Sequence, residues 1–302
     1  YISVTGVQTC ALPICVRMTF TPDVTGTWSF GIESVGPGRL LVDGTVLLDN
    51  AEVKKGGSFF GTGRGEITGE IDLVAGRAYR LEAEVRHHPQ GLGLGGVNIG
   101  ALAPVTGDLV EAAIDLAATC DLTILVVGTN DNWESEGWDR DDIALPGRQD
   151  ELITRVAQVS SSTVVVVNAG SPVAMPWLDA VDSVLMAWFP GQGAGEAIVD
   201  VLTGAVEPQG RLPVTFPMRI EDTPASEHHP GRNGVARYLE GRLVGHQWYT
   251  TIGRDPLFPF GFGLGYACAS IDAAAAPSAH EVVVTLSNAG TRDAVEVVQV
   301  YA

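Results

Sequence analysis

Three consecutive stretches decide the fold of the middle of the chain: DLTILVVG (121–128), GRQDELITRVAQV (147–159) and TVVVVNAG (163–170). The first and third are short apolar runs bounded by polar residues or glycine, which is typical of strands buried on both faces of a sheet. The middle stretch carries apolar residues at helical spacing, on one stripe formed by Leu152, Ile153, Val156 and Val159. A strand, a helix and a second strand imply a right-handed crossover, and we therefore predict a parallel sheet.

The same alternation continues on either side of these stretches. DLVEAAIDLAATC (108–120) and GEAIVDVLTG (195–204) have helical periodicity, and DSVLMAWF (182–189) is a third apolar run. Helices that alternate with strands predict a mainly parallel α/β sandwich domain. In such sheets the functional loops lie at the carboxyl ends of the strands.

The flanking regions have the two-residue alternation of antiparallel strands instead. Before Pro104, the Asp43-Gly44 pair between RLLV and TVLL is a strong hairpin signal, and Ala75-Gly76 separates two further alternating runs. At the other end, HEVVVTLSNAGTRDAVEVVQVYA (280–302) predicts two or three strands of a β-sandwich. An antiparallel β module therefore precedes the α/β domain, and part of a second one follows it.

The composition excludes several classes of protein. The formal net charge is −18, with 18 Lys and Arg against 36 Asp and Glu, which argues against a nucleic acid or an anionic membrane as partner. No apolar run approaches the ~20 residues that a membrane-spanning helix needs. Four scattered cysteines are too few for a disulfide scaffold. A neutral substrate fits this charge best.

The first twenty residues lack the charged start and long apolar core of a signal peptide. VTGVQTCALPIC (4–15) resembles translated sequencing-adapter read-through, and residues 1–15 are therefore predicted to be a non-native leader. A native targeting signal would then lie upstream, which leaves a cytoplasmic and a secreted location open.

A glycine-rich stretch, PGQGAGE (190–196), follows an apolar run and opens a helix, as a dinucleotide-binding fingerprint does. Such a fingerprint expects an acidic residue at the end of the next strand, whereas the proline-rich PQGRLPVTFP (208–217) follows here. Nucleotide binding is therefore the weakest of the candidate functions. The adjacent pairs His87-His88 and His228-His229 would point to opposite sides of an extended chain, so no metal site is predicted.

The loop NWESEGWDR (132–140) follows the first apolar run and combines three acids with an arginine and two tryptophans, with Asp141 and Asp142 just beyond. One interpretation is a solvated acidic loop, or an acidic segment that faces the positive end of the next helix. The other is a carbohydrate site, because the apolar face of a sugar ring stacks on an indole while carboxylates and arginine bind its hydroxyls. The residues alone leave both interpretations open.

Longer motifs around this loop carry a specific resemblance. VVGTNDNWESEGWDRDDIALPGRQDELI (126–153) resembles the acid/base loop segment in the C-terminal α/β domain of glycoside hydrolase family 3, the β-glucosidase and β-xylosidase family. Further motifs similar to those of the family follow in the same order: VVVVNAGSPVAMPW (164–177), VLMAWFPGQGAGEAIVDVLTG (184–204), PQGRLPVTFP (208–217), YLEGRLVGHQWY (238–249) and PLFPFGFGLGY (256–266).

The resemblance implies a retaining glycosidase that needs no metal or cofactor. The family's general acid/base is the glutamate of a Glu-Gly-(Tyr/Trp)-Asp-Arg motif and falls on Glu136, whereas Glu134 is expected to shape the loop or face solvent. The predicted sugar contacts on the loop are Trp133, Trp138, Asp139 and Arg140. The family's nucleophile lies in a Ser-Asp-Trp motif on an N-terminal (β/α)8 barrel. This chain contains neither that motif nor the room for a barrel of about 250 residues.

Two flanking modules also resemble parts of family members. Residues 16–105 resemble a protective-antigen-type, carbohydrate-binding β-barrel, in which Phe59 or Phe60 would lean over the sugar pocket or else pack in the module's core. Residues 106–268 are predicted to be the α/β domain, and residues 269–302 a truncated fibronectin-III-like β-sandwich. The predicted fold class is therefore α/β plus all-β modules.

The function predicted from these motifs is hydrolysis of terminal non-reducing β-D-glycosides by a protein of which this chain is a fragment. The fragment would supply the acid/base, the missing barrel the nucleophile, and the substrate would be an oligosaccharide or an aryl or alkyl β-glycoside. The alternative is a non-catalytic carbohydrate-binding protein that uses the β-barrel module. The identity of the sugar and the presence of a homo-oligomer stay open at this stage.

Overall fold

The computed structural model describes residues 14–52, 63–86, 96–130, 133–135, 139–226, 228–231 and 233–301. The chain divides into two compact units. The first comprises the described residues up to Leu116 together with Thr129–Asp141, and the second comprises Ala117–Gly128 together with the residues from Asp142 onwards.

The first unit contains seven strands in two antiparallel sheets. Four strands pair in the order β1-β6-β3-β4 and three in the order β5-β2-β7. Among the strands of the described ranges, no pairing joins the two sheets into a closed barrel. The strands are β1 (Ile14–Phe20), β2 (Gly26–Ser34), β3 (Gly38–Val42), β4 (Thr45–Asp49), β5 (Arg64–Leu73), β6 (Tyr79–Val85) and β7 (Val97–Leu102).

Side chains from both sheets of the first unit form one hydrophobic core. Strand β6, YRLEAEV, buries every second residue, so that Leu81 and Ala83 face the core between more exposed Arg and Glu neighbours. Phe30 and Ile32 of β2 enter the same core from the other sheet and have no solvent exposure. The alternation that predicted antiparallel strands is therefore the alternation between core and solvent.

The predicted hairpin and turn are confirmed. Asp43 and Gly44 connect β3 to its antiparallel partner β4 with φ angles of 49° and 82°, the positive values that a two-residue hairpin turn requires. Gly76 has a φ of 76° in the turn between β5 and β6. That second turn connects strands of different sheets, and each of the two pairs elsewhere. It therefore passes the chain from one sheet to the other.

The second unit contains the predicted parallel sheet, with strand order β10-β9-β8 and parallel pairing throughout. Helix α1 (Leu109–Ala117) leads into this unit and contributes its last residue to it. The helices and strands that follow are β8 (Thr123–Gly128), α2 (Gln149–Ala157), β9 (Thr163–Asn168), β10 (Ser183–Met186), α3 (Ala194–Leu202), α4 (His246–Ile252), β11 (Ala269–Ser278) and β12 (Glu281–Asn288). Short 3₁₀ turns occur at Leu178–Ala180, Gly191–Gly193 and Ile220–Asp222. None of the helices in the described part of the chain is long and apolar enough to cross a bilayer.

The core of the second unit lies against β9. Val165 and Val167 are fully buried and belong to the same cluster as Ile153 of α2 and Phe216. Helix α2 buries Ile153 and Val156, as its apolar stripe predicts. The other two residues of the predicted stripe are less buried. Leu152 is partly exposed, and Val159 lies beyond the end of the helix at Ala157 and is 42% exposed.

The prediction of two or three strands within residues 280–302 is only partly right. That stretch contains one strand, β12, and its antiparallel partner β11 precedes it in the chain. Residues 293–301 form no strand, because a strand needs a hydrogen-bonded neighbour and the described residues pair none with them. Instead, Arg211 donates two hydrogen bonds to the Glu296 carboxylate at 3.1 and 3.0 Å and fixes this segment to the unit.

Candidate functional site

The predicted acid loop begins where β8 ends. Gly128 is the last residue of that strand, and the following residues, 129–141, leave from the carboxyl end of the parallel sheet. A side chain at Gly128 would overlap the carbonyl group of Asn168 in the neighbouring strand. Glycine therefore permits the two strands to approach closely at the point from which the loop starts.

The side-chain amide of Gln149 binds the backbone of Gly128, the residue from which this loop starts. The N–H of Gly128 donates to Gln149 Oε1 at 2.7 Å, and Gln149 Nε2 donates to the carbonyl oxygens of Gly128 at 2.9 Å and Pro146 at 3.1 Å. Gln149 is the first residue of α2. It ties the end of the strand to the residues that lead into the helix, and its own donors and acceptor are satisfied.

Within the loop, Glu134 has a structural position. Its Oε1 accepts a hydrogen bond from Thr129 Oγ1 at 2.5 Å and lies 3.6 Å from Arg140 Nη1. The side chains of Glu134 and Arg140 are only 14% and 15% exposed. Of the two roles expected for Glu134, shaping the loop and facing solvent, the structure supports the first.

Backbone hydrogen bonds form a tight turn in front of Glu134. The carbonyl oxygen of Asn130 accepts from the N–H groups of Trp133 and Glu134, both at 2.9 Å. The Trp133 side chain is 47% exposed. An indole in this position leaves part of its face available for a ligand.

The predicted site residues are only partly described. Trp133 and Asp139 are exposed, whereas Arg140 is partly buried beside Glu134. The remaining predicted residues, Glu136, Trp138, Phe59 and Phe60, lie outside the described residues.

Sequence reasoning missed two residues that organise the loop, Thr129 and Gln149. Gln149 lies in the stretch predicted as an amphipathic helix, and a polar amide at the first position of a helix can satisfy backbone groups of the preceding segment. Thr129 directly follows an apolar strand, where a buried hydroxyl needs a partner. Neither contact can be predicted from the sequence pattern. The partner of Gln149 is twenty-one positions away, and the partner of Thr129 lies in an irregular loop.

The acids at the start of α2 are engaged within the second unit. Burial raises the pKa of Asp150, opposed by a hydrogen bond from the Trp177 indole N–H at 2.7 Å. Hydrogen bonds from Arg148 lower the pKa of Glu151 to about 2, and Arg155 adds to this effect. No group of three His, Cys, Asp or Glu side chains within the described ranges could hold a metal ion.

The second unit also has an open cleft of about 340 Å³ that the sequence did not predict. Its walls are mainly apolar, and His246 stacks on Phe260 with ring centroids 4.9 Å apart. Tyr249 donates from its hydroxyl to the carbonyl oxygen of Asp222 at 2.5 Å, and burial raises its pKa. Among the described residues that line the cleft there is no carboxylate.

Comparisons with known proteins identify the family to which the chain belongs. The glycosyl hydrolase family 3 C-terminal domain matches residues 26–266. A β-glucosidase of Rhizobium radiobacter is 40% identical over 299 residues, which cover 94% of this chain and 36% of the relative. A probable β-glucosidase I of Emericella nidulans is 38% identical over 258 residues, covering 82% of this chain and 31% of the relative.

A solved structure shares the fold as well. The crystal structure of β-glucosidase from Kluyveromyces marxianus in complex with glucose aligns with a TM-score of 0.84 and 30% identity, over 93% of this chain and 34% of that protein. The chain thus spans about a third of the length of these relatives. With four fifths of its residues inside the matched domain and close relatives along nearly its whole length, the chain belongs to glycosyl hydrolase family 3.

Proposed function

We propose that this chain is part of a retaining β-glucosidase and that Glu136 is its general acid/base. The observation that carries this proposal is the 40% identity to a β-glucosidase over 94% of the chain. The position of Glu136 in the Glu-Gly-Trp-Asp-Arg motif, on a loop that leaves the carboxyl end of a parallel strand, supports it.

In a retaining mechanism two carboxyl groups stand about 5–5.5 Å apart on either side of the glycosidic bond. One attacks the anomeric carbon, while the other protonates the departing oxygen and later removes a proton from the incoming water. Glu136 takes the second role. The nucleophile comes from a (β/α)8 barrel in the part of the protein outside this chain, since the chain contains no Ser-Asp-Trp motif.

The substrate is a neutral β-glycoside with a terminal glucose or a related sugar. The glucose complex of the Kluyveromyces marxianus relative supports the choice of glucose. Trp133 and Trp138 stack on the sugar or its leaving group, and Asp139 and Arg140 bind hydroxyl groups. The net charge of −18 favours a substrate without phosphate or carboxylate groups.

The flanking modules serve this site in the same proposal. Residues 16–105 form a protective-antigen-type carbohydrate-binding module, with Phe59 or Phe60 near the leaving-group side of the pocket. Two antiparallel sheets around one core support this assignment. Residues 269–302 belong to a fibronectin-III-like domain, and the β11–β12 hairpin supports that assignment.

The experiment that tests the proposal uses the complete polypeptide and its Glu136→Gln variant. An alkyl β-glucoside needs a proton on its leaving oxygen, and the variant should hydrolyse it about 10²–10⁴ times more slowly. The dinitrophenolate of a dinitrophenyl β-glucoside departs without a proton. The variant should therefore form the glycosyl-enzyme from this substrate at nearly the rate of the unchanged protein. Equal hydrolysis of the alkyl substrate by both proteins would exclude Glu136 as the acid.

The 302-residue chain alone provides a second test. We expect no turnover of an aryl β-glucoside, because the nucleophile lies elsewhere. Robust hydrolysis by the purified chain would contradict the proposed division of the catalytic pair. Glucose binding by the chain that is unaffected by Glu136→Gln would instead favour the non-catalytic sugar-binding alternative.

A further inference from the structure

The open cleft of the second unit takes no part in the proposed reaction. None of the described residues that line it is Asp, Glu, Lys or Arg, although the chain carries a formal net charge of −18. Its walls include prolines and valines, namely Pro213, Pro217, Pro224, Val214 and Val244. An uncharged, mainly apolar cleft on an acidic protein favours the docking of another apolar surface.

The apolar surface extends beyond the cleft along residues 237–244. Val244 is the last residue of this segment and also lines the cleft. Val244 is 59% exposed, and Tyr238 and Leu239 are 84% and 68% exposed. Single exposed apolar side chains are common, whereas a group of large ones in one short segment beside a cleft is typical of an interaction site. We call the cleft together with residues 237–244 the apolar cleft surface.

Local turns hold the backbone of this segment. The N–H groups of Gly241 and Leu243 donate to the carbonyl oxygens of Tyr238 and Glu240 at 3.2 and 3.0 Å. Residues 237–244 belong to no helix or strand. The backbone is therefore ordered by bonds within the segment and not by burial of Tyr238 and Leu239. A surface that is already ordered costs less conformational entropy when a partner docks on it.

The length of related proteins and the charge of the chain indicate which partner docks there. The matched family domain is a C-terminal domain, and the chain covers 36% of the β-glucosidase of Rhizobium radiobacter. A segment elsewhere in the same polypeptide is tethered at a high effective concentration, so a cleft of about 340 Å³ suffices to hold it. A second copy of the chain would bring a further charge of −18, and repulsion between like charges opposes its approach.

We propose that the apolar cleft surface is the docking site for a part of the same polypeptide that lies outside this chain, with apolar side chains of that part entering the cleft. The inference rests on the proposal that the chain is part of a longer protein. It does not depend on the role of Glu136. The contact would fix the second unit to the remainder of the enzyme through a surface separate from the acid loop.

Hydrogen–deuterium exchange of the 302-residue chain and of the complete polypeptide tests this docking. Backbone amides of residues 237–244 should exchange at least about tenfold more slowly in the complete polypeptide, because a docked partner restricts local opening. Val244→Asp should restore fast exchange in the complete polypeptide and leave the exchange of the 302-residue chain unchanged, since the side chain is already exposed there. Leu239→Asp should act in the same way from a position outside the cleft.

The matched control is Val74→Asp, which changes a residue of similar exposure, 53%, in the first unit. It should leave the exchange of residues 237–244 unchanged in both proteins. Equal exchange in the two unchanged proteins, or slow exchange that survives both aspartate variants of the surface, would overturn the proposal. Protection that appears in the 302-residue chain as its concentration rises would identify a second copy as the occupant and overturn it too. Equal exchange together with an impaired Glu136→Gln enzyme removes only the docking inference and leaves the proposed function intact.

Discussion

Replacing Asn50 with leucine should destabilise the β module by about 2–4 kcal/mol. Asn50 is completely buried, and its Oδ1 accepts the N–H of Gly38 at 2.6 Å while its Nδ2 donates to Ser34 Oγ at 2.9 Å. Ser34 in turn donates to the carbonyl oxygen of Gly36 at 2.8 Å. Leucine has the same branching of heavy atoms as asparagine and offers no hydrogen bond, so the change removes the polar network and introduces bulkier methyl groups in its place.

The magnitude follows from the groups that are left behind. The buried N–H of Gly38 loses its acceptor at a cost of about 1–3 kcal/mol, and the Ser34 oxygen loses a donor for roughly 1 kcal/mol more. Burial of the leucine side chain relative to the unfolded chain contributes about 1.5–3 kcal/mol, and overpacking by its larger methyl groups, at about 1–3 kcal/mol, offsets that gain. Ser34 keeps its own bond to Gly36, which limits the total.

Urea unfolding of the 302-residue chain, followed by far-ultraviolet circular dichroism, measures this loss for the transition of the β module. Thr27→Val is the control in the same module, because it removes a hydrogen bond to Asp72 that is equally short, at 2.6 Å, but exposed. There both partners return to water, so the expected change is within about 0.5–1 kcal/mol. A loss below about 1 kcal/mol for Asn50→Leu, or equal losses for the two variants, would refute the argument from burial.

Two further predictions concern the parallel sheet. Gly128→Ala should destabilise the second unit by at least about 2 kcal/mol, since the new methyl group overlaps the Asn168 carbonyl, and thermal unfolding should show it; Gly76→Ala, which meets nothing within 4 Å, reports the backbone cost alone. A smaller effect for Gly128→Ala than for Gly76→Ala would argue against the close approach. Hydrogen bonds from the Thr163 N–H and the Ser162 hydroxyl lower the pKa of Asp182 from its usual 3.8. Its contribution to stability is therefore present above pH 3.8 and is lost as the pH falls through the lower folded-state value. Asp182→Asn should unfold at a lower temperature than the unchanged protein at pH 6 and approach it at the acid end, whereas a pH-independent difference would contradict the assignment.

The sequence predicted those parts of the fold in which local pattern and burial agree. The Val-rich run of β9 could only be a buried strand, and Asp43-Gly44 could only be a tight turn between alternating strands. The pattern failed where pairing decides the outcome. DAVEVVQV (293–300) alternates like a strand, yet strand formation depends on a neighbour that periodicity does not report.

The same distinction applies to the candidate site. The motif around Glu136 identifies the loop, because the order of its residues is itself the signal. The contacts that hold the loop are not visible in that order. Gln149 binds Gly128 from twenty-one positions away, and Thr129 meets Glu134 inside an irregular segment without a repeat. The assignment of Glu136, Trp138, Phe59 and Phe60 stays a prediction from sequence.

The bonds of Gln149 have an evolutionary consequence. Because one side chain joins Gly128 to Pro146, the distance between the sheet edge and the start of the helix does not depend on what is inserted between them. Mutations that change the length or the composition of the intervening segment therefore leave the hydrogen bonds between Gln149, Gly128 and Pro146 in place.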